Sequence, residues 1–219
     1  MKIKIKDLVF DDEIYPRSHV DIQTVNRFRN ALSCGEVFPP IIIDKKTKRI
    51  IDGWHRATAY KIVFSDDTEV ECELKEYKSE LDLLVDAIRR NTRHGLPLTS
   101  YDKALCVTRL HKLGLNDELT RQHLLLTEKN YTSLVKRKLA FRNGDVVPIK
   151  RTFAHLAGTE IKEQTLDVNK RAGGHAPLFY VNQLIDLLVH DLIDLDNEHL
   201  CESLVKLSKL IEEKISCTV

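Results

Sequence analysis

No Cys-x-x-Cys pair occurs in this chain, no apolar run is long enough to cross a bilayer, and almost no net charge is left over. Each absence excludes something. The five cysteines, Cys34, Cys72, Cys106, Cys201 and Cys217, are odd in number and widely spaced. They therefore read as buried or idle thiols of a reducing cytoplasm, and a zinc site built from them is not expected. The opening Met1-Lys2-Ile3-Lys4-Ile5-Lys6 lacks the apolar core of a signal peptide, so a soluble, cytoplasmic location without membrane contact is expected. Lys and Arg number 34 against 33 Asp and Glu, a formal charge of +1. Overall charge thus says nothing for or against nucleic acid, and local clusters have to decide. A length of 219 residues with 42% hydrophobic side chains supports one large domain or two small ones.

What is present concentrates around residues 40–60. Pro40-Ile41-Ile42-Ile43 reads as a strand, Asp44 to Arg49 as a charged turn, and Ile50-Ile51 as a second strand that stops at Asp52-Gly53. A helix is expected from Trp54. Gly53 permits a backbone angle other residues avoid, or lets another group come close. Trp54-His55-Arg56 then sets an imidazole and a guanidinium in a first helical turn, beside unpaired N–H groups and the positive end of the helix dipole. Such a corner suits an anion, with Arg56 holding phosphate oxygens and the backbone and His55 adding donors. A solvated first-turn arginine is the competing reading.

Asp52-Gly53-Trp54-His55-Arg56, followed by Ala57 and Ala59, resembles the signature loop of the ParB/sulfiredoxin superfamily, whose members carry a Gly-x-x-Arg corner for nucleotide phosphates. Downstream, Asn91-Thr92-Arg93-His94-Gly95 stands where ParB-type proteins carry a box of acidic residue, Asn, two variable residues and Arg, and it is similar to an Asn-x-x-His-Gly variant of that box. The resemblance covers roughly residues 1 to 142. It implies a pocket for CTP or ATP with Mg2+, formed by Gly53, Trp54, His55, Arg56, Asn91 and His94, with Asn91 on the metal. Pro16-Arg17 falls where ParB-type proteins carry a Pro-Arg of the same pocket. On its own residues, Arg17 is equally readable as solvated. Two departures matter: Arg90 replaces the acidic residue of the box, and His94-Gly95 replaces its arginine. Both bring nucleotide hydrolysis into question, because a pocket short of one carboxylate holds a metal less firmly. Sulfiredoxin chemistry is set aside, since Trp54 occupies the place of that family's catalytic cysteine.

Elsewhere, Lys2 to Lys6 alternates as a half-buried strand does, Asp21 caps a helix to Leu32, Glu69 to Leu74 alternates again, and Ser79 caps a helix to Arg90. Arg89, Arg90 and Arg93 either complement that helix's dipole or line the pocket. From Leu98 an all-helical region is expected, opening at the near-capping box Thr99-Ser100-Tyr101-Asp102. A short helix at 116–124, a turn at 125–128 and a helix from Lys129 to Phe141 follow the helix-turn-helix plan. Its second helix displays Lys129, Lys136, Arg137 and Arg142 for phosphates and Asn130, Thr132 and Ser133 for base edges. A basic surface helix that merely aids solubility is the competing reading, and the small residue usual in the turn is replaced by Leu125-Leu126. Asn143-Gly144-Asp145 is a turn, residues 150–170 have no assigned task, and the Gly-rich stretch around His175 reads as a linker. Two apolar helical stripes, 178–195 and 200–215, then either fold back or pair with a second copy as a homodimer.

The expected class is α+β: a small ParB/sulfiredoxin-like mixed-sheet domain over 1–97, an all-α helix-turn-helix region over 98–147, and a C-terminal helical hairpin over 148–219. Three functions compete. The first is a ParB-like, nucleotide-binding DNA-binding protein acting in partitioning or regulation. The second is a phosphoryl-transfer enzyme on the same scaffold (a small-molecule kinase, an ATPase or CTPase, or a nuclease), with Asp52 and His55 as its acid–base pair; Asp52 is equally a turn-former. The third is an interaction module that has lost its nucleotide.

Overall fold

A computed structural model describes residues 1–93, 96–173 and 175–215. The chain divides into two compact units, Met1–Gly173 and Gly174–Val219.

The first unit is built on a four-stranded mixed sheet in the order β1 (Lys2–Lys4), β4 (Glu69–Lys75), β2 (Ile41–Asp44), β3 (Ile50–Asp52). β1 and β4 are antiparallel, β4 and β2 parallel, β2 and β3 antiparallel. Successive side chains on a strand point to opposite faces, and three isoleucines in a row therefore feed two cores. Ile41 and Ile43 join Ile3, Val70, Cys72, Trp54 and Ala57 on one face. Ile42 points to the other, where it meets Ile51, Leu83, Leu84 and Ile88. Helix α1 (Ile22–Ser33) packs on α2 (Trp54–Val63), and α3 (Glu80–Arg93) packs on β3. Asp21 caps α1 by accepting from Thr24 N at 3.1 Å, and Ser79 Oγ accepts from Asp82 N at 3.1 Å at the start of α3.

The second core does not stop at the sheet. It continues through Leu98, Ala104, Cys106, Val107 and Leu110 of the next helical region to Leu124, Tyr131, Leu134 and Leu139. That region holds α4 (Ser100–Lys112), opened by a full capping box between Thr99 and Asp102, then α5 (Asp117–His123) and α6 (Glu128–Lys138). Helices α1, α4 and α5 end with the same pair of bonds, from the N–H groups of the two residues past the cap back to the last turn. Gly35 and Gly114 supply the left-handed residue in the first two, and Leu125 holds it at φ +52° in the third.

Three sequence expectations are corrected in this unit. The opening strand ends at Lys4, because Ile5–Asp7 turns as a 3-10 segment that buries Ile5. The helix expected to run to Phe141 ends at Lys138, and the region after Leu98 is not all-helical: β5 (Leu139–Arg142) and β6 (Asp145–Pro148) form an antiparallel hairpin. Its two-residue turn, Asn143-Gly144, has positive φ at both positions, +49° and +85°, the geometry that matches the twist of paired strands. Finally, the polar stretch after Lys150 folds as a 3-10 segment (Arg151–Leu156) and α7 (Glu163–Arg171), packing Phe153, Ile161 and Leu166 against Ala140 and Ile149. The first compact unit therefore continues through this stretch to Gly173.

The second unit contains α8 (Pro177–Val189) and α9 (Glu198–Ile215). None of its described side chains is buried, and Leu178, Val181, Leu188, Leu192, Leu207 and Ile211 are exposed. No described helix is long and apolar enough to cross a membrane.

Candidate functional site

Gly53 is the pivot between β3 and α2. Its φ of +98° lies in the left-handed region, and a Cβ there would sit 2.9 Å from Arg56 Nη2. Both reasons for a glycine therefore apply at once. As N-cap it offers no side chain to the first N–H groups of α2, so that end of the helix is open to an anion.

A cavity of about 210 Å³ lies at this corner. It brings together Arg17, Asp52, Gly53, Trp54, His55, Arg56 and Asn91, which the sequence motifs single out. His94 lies outside the described residues. Tyr15, Thr24, Phe28, Ile50, Ile51 and Leu96 complete the walls; no motif marks Thr24 or Phe28.

The arginines differ in how they are engaged. Arg56 donates from Nη1 to the carbonyls of Pro39 (2.6 Å) and Pro40 (3.2 Å), and from Nη2 to Asp52 Oδ2 at 2.9 Å. Its guanidinium thus ties the start of β2 to the end of β3. Arg17 is 7% exposed and, among the described residues, donates only to the backbone carbonyls of Leu96 and Pro97. Its Nε is buried without a partner among the described residues. A buried guanidinium with an unmet donor and no carboxylate bonded to it is costly unless an acceptor arrives.

His55 is locked. Its Nε2 accepts from the backbone N–H of Asp21 at 3.1 Å, with the Tyr15 hydroxyl 3.4 Å away. Burial, with Arg17 beside it, holds its pKa below the ordinary 6.5 against the opposing pull of Asp21. The unfolded chain therefore takes up this proton first. The stabilisation is fully present above about pH 6.5 and declines as pH falls from there through the folded value. We expect the urea midpoint of the wild type to drop more between about pH 7 and about pH 5 than that of His55→Gln, whose amide oxygen still accepts. Equal drops would show that His55 carries none of the pH dependence.

The Trp54 side chain is packed as a wall of the pocket. It is 8% exposed, stacked on Tyr15 at 4.2 Å between ring centres and met edge-on by Phe10 at 5.0 Å. Its backbone N–H, in the uncapped first turn of α2, is open to a ligand. Asn91 donates from Nδ2 to Ala87 O at 2.9 Å within its own helix. Arg90, at the position of the absent acidic residue, bonds Asp86 at 3.0 Å. Among the described residues no group of three or more His, Cys, Asp or Glu side chains comes together. The single carboxylate of the pocket, Asp52, is already paired with Arg56.

Loop 15–18 connects this pocket to α4. Tyr15 O accepts from Arg109 at 2.6 Å, Pro16 O from the Cys106 thiol at 3.4 Å, and Ser18 N donates to Asp102 Oδ1 at 2.8 Å. Arg17 reaches the linker that precedes the same helix.

The candidate DNA-contacting residues fall on α6 with one exception. At about 100° per residue, Thr132, Lys136, Lys129, Ser133, Arg137 and Asn130 occupy one continuous arc. All are exposed but Ser133, which is half-buried. Tyr131 and Leu134 take the opposite, buried side. The Tyr131 hydroxyl donates to Asp117 Oδ1 at 2.7 Å and lies 3.1 Å from His111 Nε2, fastening α6 to α4 and α5. Arg142 is the exception: it sits in β5 and pairs with Glu163.

No family model matches the chain. It is 33% identical over 88 residues to a "Streptomycin biosynthesis operon possible regulatory protein" of Streptomyces griseus, over 40% of this chain and 24% of that one. It is 34% identical over 77 residues to the "Transcriptional regulator NovG" of Streptomyces niveus, over 35% of this chain and 23% of that one. The chain thus spans about a quarter of these curated relatives. Among solved structures it is similar to the chromosome-partitioning protein ParB of Caulobacter crescentus complexed to the centromeric parS site, with 17% identity and a TM-score of 0.43 over 61% of this chain and 69% of that one. It is also similar to the pNOB8-like ParB N-domain, with 17% identity and a TM-score of 0.40 over 68% of this chain and 52% of that one. A further similar structure is the Caulobacter protein complexed with CTP-γ-S, at 18% identity and a TM-score of 0.38 over 61% of this chain and 75% of that one.

Proposed function

We propose that this chain is a ParB-like DNA-binding regulator whose N-terminal pocket takes the phosphates of a nucleoside triphosphate, CTP or ATP. The observation that carries the pocket is Arg17, buried with an unmet Nε donor beside the uncapped start of α2 at Gly53. Phosphate oxygens would satisfy both. The motif resemblance around Gly53 and Asn91 gives the ligand class. The outward arc of α6, following α5 and a tight turn, supports a helix-turn-helix in which Lys129, Lys136 and Arg137 meet phosphates and Asn130, Thr132 and Ser133 meet base edges. The two curated relatives carry names of regulators, which agrees with a DNA-directed role.

Mg2+ fits less well as a resident ion. The pocket offers one carboxylate, already paired, and the amide of Asn91, so a magnesium ion would have to arrive on the phosphates and supply charge neutralisation there. The phosphoryl-transfer alternative has little to draw on: Asp52 is paired with Arg56, and His55 Nε2 accepts a backbone hydrogen bond. For the second unit, the exposed apolar surface of α8 and α9 supports pairing with a second copy as a homodimer.

The sole tryptophan of the chain, Trp54, is its own reporter. Titration with CTP, ATP, GTP and UTP plus magnesium, followed by Trp54 fluorescence and calorimetry, should give saturable binding of one nucleotide. Arg17→Ala should weaken it roughly thirtyfold or more, the scale of losing a buried charged contact. Absence of binding to all four would overturn the nucleotide reading and leave DNA binding to stand by itself.

A further inference from the structure

A second cluster of cations lies apart from the pocket, where the last turn of α3 meets the end of α5. Arg89, Arg93, Gln122, His123 and Leu125 line a concavity of about 240 Å³. Arg89 and Arg93 are exposed and stand four residues apart on one helical face, an arrangement of like charges that destabilises a helix. Neither forms an ion pair with a described residue, whereas neighbouring Arg90 and Arg121 pair with Asp86 and Glu118. Burial, with Arg89 close by, pushes the His123 imidazole below its ordinary pKa. Complementing the C-terminus of α3 accounts for one of the two arginines. It does not account for the second, nor for leaving both without a carboxylate among the described residues.

Position decides what this cluster meets. Leu125, on its rim, is the left-handed residue of the turn between α5 and α6, two residues before the Thr127 cap of α6. The cluster therefore abuts the N-terminal end of the helix that carries Lys129 and Asn130, the end from which a recognition helix reaches base edges while the preceding helix crosses the backbone. We infer that Arg89 and Arg93 of α3 form a phosphate-backbone contact for duplex DNA, extending the DNA interface from α5 and α6 onto the helix that also lines the nucleotide pocket. This rests on the DNA-binding reading above. Asn91 stands about 200° around α3 from Arg89, so one helical turn presents an amide to the pocket and two guanidinium groups to the DNA.

The test is the salt dependence of binding to mixed-sequence duplex DNA, measured by fluorescence anisotropy across a potassium chloride series on the full chain. Each lost phosphate contact lowers the slope of log K against log salt by about 0.9, so Arg89→Ala/Arg93→Ala should lower it by about 1.8, equally on two duplexes of unrelated sequence. Arg89→Lys/Arg93→Lys should keep the slope. An unchanged slope in the alanine variant, with Lys136→Ala/Arg137→Ala still impaired, would overturn this inference alone. So would a lysine variant that loses as much as the alanine variant, because packing and not charge would then be at stake. A wild type that binds no duplex at any salt would overturn both this inference and the DNA-binding reading.

Discussion

Replacing Trp54 with alanine is expected to lower stability by about 3–5 kcal/mol, the scale of deleting a buried aromatic ring. The indole is the joint of three elements: it heads α2, stacks on Tyr15 and receives the edge of Phe10. Tyr15 in turn passes its hydroxyl to the neighbourhood of His55 and its carbonyl to Arg109. Removing the ring opens a cavity beneath the loop that carries Arg17, so the ligand pocket should be lost with the stability. Trp54→Phe, which keeps a ring in place, should lose less. Urea denaturation followed by circular dichroism measures both. A loss under about 1 kcal/mol for the alanine variant would mean that the ring contributes no more than a surface side chain.

The second large effect is expected at Tyr131. Tyr131→Ala should cost about 3–5 kcal/mol, because the ring is 6% exposed in the core shared by α4, α5 and α6. Tyr131→Phe keeps the ring and removes only the hydroxyl that Asp117 and His111 engage, about 1 kcal/mol. DNA affinity should follow the same order, since α6 is held in place by this side chain and by Leu134. Equal losses for the two variants would assign the whole contribution to the hydroxyl and contradict the packing argument.

The pocket was legible to the extent that its residues are local in sequence. Gly53, His55 and Arg56 sit within one corner, and Arg17 and Asn91 belong to short boxes of their own. Thr24 and Phe28 could not be read as walls, because on α1 they look like any residues of an amphipathic helix and only the packing of α1 on α2 brings them near. The role of Arg56 was also hidden. Its spacing from Gly53 suggests a free cation, whereas the carbonyls that occupy it, Pro39 and Pro40, lie far back along the chain. The hairpin after α6 was obscured by the run from Lys136 to Arg142, three basic residues followed by three apolar ones and an arginine, which shows no two-residue alternation to mark a strand. Its decisive signal was Asn143-Gly144, a turn pair that demands a hairpin once Ala140 and Phe141 are set against Val146 and Val147. In residues 149–166 the anchors Ile149, Phe153, Ile161 and Leu166 are spaced too irregularly for any period, so burial there was visible only in three dimensions.

Loop 15–18 has a thermodynamic consequence. Each of its four residues is bonded to the segment 96–109, and the core beneath runs unbroken from Ile42 to Leu139. Sheet and helices are therefore expected to melt as one cooperative body. Any ligand that prefers the folded pocket raises the stability of the distant α6 by the same mass-action term, RT ln(1 + [L]/Kd). A ligand at Gly53 would thereby raise the population in which α5 and α6 are formed, even if not one of their atoms shifts.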